Sequence, residues 1–74
     1  MSPALPVVSG DEVVRALGRV GYAVVRRRGS HMRLMCPGRK PVTVPRHREL
    51  KAGLLRRILA DAGLSVEEFV RLLN

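Results

Sequence analysis

A chain of 74 residues with 46% apolar side chains has room for one small core, and it holds no run of roughly 20 apolar residues such as a membrane helix needs. Fourteen Lys and Arg against six Asp and Glu leave a net charge of +8, which points to a polyanionic partner, nucleic acid ahead of anionic lipid or an acidic protein. The single cysteine, Cys36, excludes an internal disulfide and suits a reducing cytoplasm, while one Tyr and one Phe are too few for a base-stacking platform.

The first eight residues contain Pro3 and Pro6 and lack a basic start followed by an apolar run. They are expected to form a flexible tail rather than a leader, with residues 9–74 making one domain. Ser9-Gly10-Asp11-Glu12 is a capping box. Val13, Leu17 and Val20, with Val14 and Ala16 beside them, repeat at helical spacing, and Gly21 is placed to end a helix over 10–20. Residues 22–28, ending in Arg26-Arg27-Arg28, are rich in strand formers. Gly29-Ser30 is a two-residue hairpin connection.

From His31 the pattern alternates. Met32, Leu34 and Cys36 point one way, and His31, Arg33 and Met35 point the other. The apolar set must face the helices, so His31 and Arg33 share the solvent face, joined by some of Arg26 to Arg28. A Pro37–Pro41 turn leads to a short third strand, Val42-Thr43-Val44, stopped by Pro45. Arg46–Leu50 is a basic loop with the second histidine, His47. A second helix is predicted from about Lys51 to Ala62, apolar at Leu54, Leu55, Ile58, Leu59 and Ala62 and closed by Gly63. Its Arg56 and Arg57 project outward. Ser65-Val66-Glu67-Glu68 is another capping box and starts a short last helix whose Phe69, Val70, Leu72 and Leu73 close the core. The order predicts an α+β sandwich, αβββα with an extra C-terminal helix, in which a three-stranded antiparallel sheet has helices on one face.

With these residues in place, the chain resembles the HicA-type toxins, the small ribonuclease half of a bacterial toxin–antitoxin pair. The likeness runs from Ser9 to Leu73. It rests on the capped first helix ending in Gly21-Tyr22, then Arg28-Gly29-Ser30-His31, then Val44-Pro45 with His47. Glu49-Leu50-Lys51 before Gly53-Leu54, Ile58-Leu59, Ala62-Gly63-Leu64-Ser65 and Glu67-Glu68-Phe69 complete it. Leu54, where the family often has Thr, and Ala52 depart from the pattern. The resemblance implies a fold like a double-stranded-RNA-binding domain and cleavage of messenger RNA without a required ribosome. It also implies a catalytic histidine at His31 and a HicB-type antitoxin that covers the site.

These residue types suit that chemistry. The RNA 2′-hydroxyl lies beside the scissile phosphate, so an enzyme must remove one proton, supply another and stabilise charge on phosphorus. An imidazole is the side chain best matched to either proton transfer at neutral pH. His31 is therefore the expected general base or acid. Arg26, Arg28 and Arg33 are the expected phosphate clamp, Ser30 a hydrogen-bond donor at the turn, and a 2′,3′-cyclic phosphate the product. His47 is either a second proton carrier or a brace for its loop, with bracing favoured. Asp11, Glu12, Glu67 and Glu68 fall in first turns of helices, where capping and the helix dipole explain them. Glu49 and Asp61 are then too few for a two-metal hydrolase, and Cys36 with the histidines lacks zinc spacing. No metal or cofactor is expected, and cleavage should persist in EDTA. The alternatives are a non-catalytic double-stranded-RNA-binding module using the same basic face, and a protein-interaction module that never meets nucleic acid. Arg56 and Arg57 could hold RNA phosphates or meet an acidic antitoxin.

Overall fold

In the computed structural model, which describes residues 4–74, the chain runs α1 (Gly10–Gly18), β1 (Ala23–Arg28), β2 (His31–Met35), β3 (Val42–Pro45), α2 (Ala52–Ala62) and α3 (Val66–Leu73). Both capping boxes form. The Ser9 hydroxyl accepts from the Glu12 N–H at 3.1 Å while the Glu12 carboxylate accepts from the Ser9 N–H at 2.9 Å. Ser65 and Glu68 repeat the exchange at 3.1 and 3.0 Å. The backbone N–H, followed by the serine hydroxyl, holds each glutamate carboxyl below its ordinary pKa range; the charged form is the one the helix start solvates.

Helix α1 stops two residues short of the predicted 10–20. The Gly21 N–H donates to the Gly18 carbonyl at 3.2 Å and the Tyr22 N–H to the Leu17 carbonyl at 3.1 Å, the paired bonds of a Schellman closure. Residues 19 and 20 therefore belong to the closing turn. Cations serve the other helix ends. Arg39 Nη1 donates to the Ala62 carbonyl at 2.6 Å, and Arg19 Nη1 to the Leu72 carbonyl at 2.7 Å and to the Asn74 backbone. Positive charge at C-terminal carbonyls left without an intrahelical donor complements the helix dipole.

The strands form one antiparallel sheet in the order β1-β2-β3, with β2 in the centre. Met32, Leu34, Val42 and Val44 are buried on one face, where they join Val13 and Leu17 of α1, Leu55 and Ile58 of α2, and Phe69 of α3 in a single core. Helix α1 packs on β1 and β3, α2 on β3, and α3 on α1. Full burial of each large apolar side chain contributes roughly 1.5–3 kcal/mol. Tyr22 is also buried, its hydroxyl donating to the Lys40 carbonyl at 2.7 Å, and loss of water pushes that hydroxyl's pKa up.

The segment before α1 differs from the expected tail over residues 1–8. Val8 is a core residue, Leu5 packs partly against the core, and the Leu50 N–H donates to the Val8 carbonyl at 2.9 Å. An apolar residue able to reach a core does so, whatever prolines precede it. Met1–Pro3, the rest of that expected tail, lie outside the described residues. At Gly10 the strap crosses Pro45 so closely that a Cβ would overlap the Pro45 carbonyl oxygen. The Gly10 N–H donates to the His47 carbonyl at 2.9 Å. The N-terminal strap and the loop after β3 are thus held as one piece.

Candidate functional site

The hairpin turn sets the site. Gly29 has φ +59°, and among the described residues none other than glycine has a positive φ. That is the pattern of a II′ connection, which wants glycine at its first central position. The turn pairs Arg28 with His31, and β3 continues the row with Pro45. The next row on the same face is Arg26, Arg33 and Thr43. Directly opposed residues of antiparallel strands share a face, so Arg26, Arg28, His31, Arg33 and Thr43 stand opposite the helices, while Pro45 at the end of its row is buried.

One irregularity brings the start of β1 into step with the hairpin. Strict alternation from buried Tyr22 and half-buried Val24 would turn Arg26 and Arg28 toward the helices. A β-bulge between Val24 and Arg26 leaves Val25 unpaired, and the extra residue reverses the count. Arg27 then stands opposite buried Met32, on the helix side.

Arg26, Arg28, His31, Arg33 and Thr43 line a shallow depression of about 150 Å³. Arg33 Nη1 donates to Thr43 Oγ1 at 3.0 Å, which fixes one guanidinium in place. Among the described residues, only Arg46 and Arg57 pair with carboxylates, to Asp11 at 3.2 Å and to Asp61 at 4.0 Å. The lining cations have no such partner. Like charges directly opposed across strands destabilise a sheet, so the Arg26–Arg33 pair works against the fold unless an anion lies between them. A phosphate oxygen accepts from guanidinium forks in bidentate fashion, and the imidazole of His31 would stand beside it.

Other sequence-derived candidates fall elsewhere. Ser30 is exposed and does not line the depression; its backbone carbonyl accepts from the Arg46 N–H at 2.6 Å. His47 is exposed in the loop after β3 and also lies outside the lining. Its link to the fold is the carbonyl that receives Gly10, so the bracing is done by backbone. Thr43 is the residue missed. The signal was present, because apolar Val42 and Val44 facing inward leave Thr43 pointing outward beside Arg33. No group of three or more His, Cys, Asp and Glu side chains comes together among the described residues.

The small α+β fold thus gathers cations and an imidazole on its uncovered sheet face. The family model described as the HicA toxin of bacterial toxin-antitoxin matches residues 10–64, and the chain belongs to that family. The match takes in every residue lining the depression and stops before α3. HicA toxins pair with HicB antitoxins and act on RNA. No curated protein matches the chain. Among the described residues, no helix is long and apolar enough to cross a membrane.

Proposed function

We propose that the chain is a cytoplasmic, metal-independent endoribonuclease that cleaves messenger RNA at the Arg26–His31 hairpin and is neutralised by a HicB-type antitoxin seated over that face. The observation that carries this reading is the grouping of His31 with Arg26, Arg28 and Arg33 in one depression. The 2′-oxygen attacks the adjacent phosphorus, the bond from phosphorus to the 5′-oxygen breaks, and a 2′,3′-cyclic phosphate and a 5′-hydroxyl result. His31 either takes the 2′-hydroxyl proton or delivers one to the departing 5′-oxygen. The site is open, so water exchanges the other proton. The guanidinium groups hold the non-bridging oxygens and offset the charge that grows on them in the transition state. Metal independence is supported by the lining itself, which supplies cationic donors where a metal site would supply carboxylates.

The test is incubation of wild type and His31→Ala with a defined RNA, with and without EDTA. Wild type should yield cyclic-phosphate ends in both buffers. The variant should cleave roughly 10²–10⁴-fold more slowly while retaining salt-sensitive RNA binding. Full-rate cleavage by His31→Ala would refute the assignment. Binding without cleavage by wild type would leave a plain RNA-binding module.

A further inference from the structure

Beside the depression lies a second, larger hollow that the phosphate chemistry does not use. It runs between the outer side of β3 and α2, has a volume of about 360 Å³, and shares Arg33 and Thr43 with the depression. The two therefore adjoin at Arg33 and Thr43. Leu54, Arg57, Ile58 and Asp61 reach it from one face of α2 through i, i+3, i+4 and i+7 spacing, opposite Pro41 and Val42. Buried Val42 and Ile58 make an apolar floor, while Arg57 and Asp61 make a polar rim.

We propose that this groove is a nucleobase subsite and that Asp61 makes it select guanine beside the bond that is cut. The proposal rests on the RNA-cleavage reading above and extends it to sequence preference. An RNA whose phosphate sits among Arg26, Arg28 and Arg33 must place a neighbouring nucleoside across the sheet, and the groove opens there. A base has flat apolar faces and a polar edge, which matches an apolar floor with a polar rim. Tyr22 and Phe69 are both core residues, so neither of those rings reaches the groove to stack on the base. Identity must then be read by hydrogen bonds at the edge.

Asp61 is the one carboxylate lining either hollow, and a carboxylate only accepts. Guanine offers adjacent N1–H and N2–H donors that suit its two oxygens. Uracil offers one N–H between two carbonyls, which the carboxylate repels. Arg57 Nε, 4.0 Å from Asp61 Oδ2, steadies the carboxylate and leaves its other donors free for a flanking phosphate.

The experiment maps the ends produced from a long mixed-sequence RNA by wild type and Asp61→Asn, with melts confirming that the variant folds. Wild-type sites should favour guanine over uracil at one flanking position by roughly tenfold, the discrimination of a good bidentate contact, and Asp61→Asn should lose that ratio. Equal ratios in the two proteins, or no guanine enrichment in wild type, would overturn the subsite. Absence of cleavage by wild type would defeat the activity instead. Anisotropy with short RNAs carrying one guanine or one uracil, each 2′-deoxy at the scissile nucleotide, then reads the groove independently. A guanine preference present in wild type and absent in Asp61→Asn supports the subsite, and equal binding overturns it.

Discussion

The two faces of the sheet are made from the same three strands and obey opposite demands. On the covered face, Met32, Leu34, Val42 and Val44 are each 3% exposed or less and join all three helices in the core. On the uncovered face, Arg26, Arg28, His31, Arg33 and Thr43 gather like charges that a sheet would not choose for stability. One face lowers the free energy of the fold; the other tolerates a penalty that a bound anion would remove. Substitutions on the two faces should therefore separate cleanly in what they damage.

His31→Ala is the sharpest way to break that contrast. RNA cleavage should fall roughly 10²–10⁴-fold with an unchanged thermal midpoint. A large loss of stability would mean that the uncovered face also holds the fold together. Leu34→Ala tests the other side. Its side chain is completely buried, and truncation should cost about 2–5 kcal/mol in urea unfolding, a large share of what a domain this small can hold. Ser9→Ala removes one capping box and should cost about 1 kcal/mol, with little change in RNA binding.

A smaller effect with a diagnostic sign comes from Arg26→Ala. RNA binding should weaken and its logarithmic salt slope should shrink by about 1. Stability should rise by a few tenths of a kcal/mol, because the repulsion opposite Arg33 is gone. Lower stability would show that the opposed arginines are not in tension. The gentlest test is acid. Glu12 and Glu68 are held below their ordinary range in the folded chain. The stability they contribute is complete above the unfolded carboxyl pKa and drains as pH falls through the lower folded value. Melts from pH 7 to pH 3 should stay level and then decline in the acid range. Glu12→Gln with Glu68→Gln should flatten that decline.

Much of the site was legible because short-range rules govern it. A two-residue connection with glycine first forces Arg28 opposite His31, and the period of a strand carries Arg26 and Arg33 to the same side. Thr43 obeys the same rule, but a lone threonine in a short strand carries little chemical signal. Ser30 and His47 are candidates by their side chains, yet both meet the fold through backbone carbonyls, which accept from Arg46 and Gly10. Any residue type can supply such a carbonyl. The place of Val8 in the core is hidden for a related reason: Leu5, Val7 and Val8, broken by Pro6, have no periodicity to betray it.

The sequence by itself determined the order of elements, the starts of α1 and α3 and the apolar and cationic faces, because capping boxes and side-chain periodicities act within a few residues of one another. Only the tertiary structure decided that Val25 bulges out of β1, that the strap at Gly10 locks the loop after β3, and that the cationic depression adjoins a groove between β3 and α2. Each of these depends on how far-apart segments press together, and a local pattern holds no record of that fit.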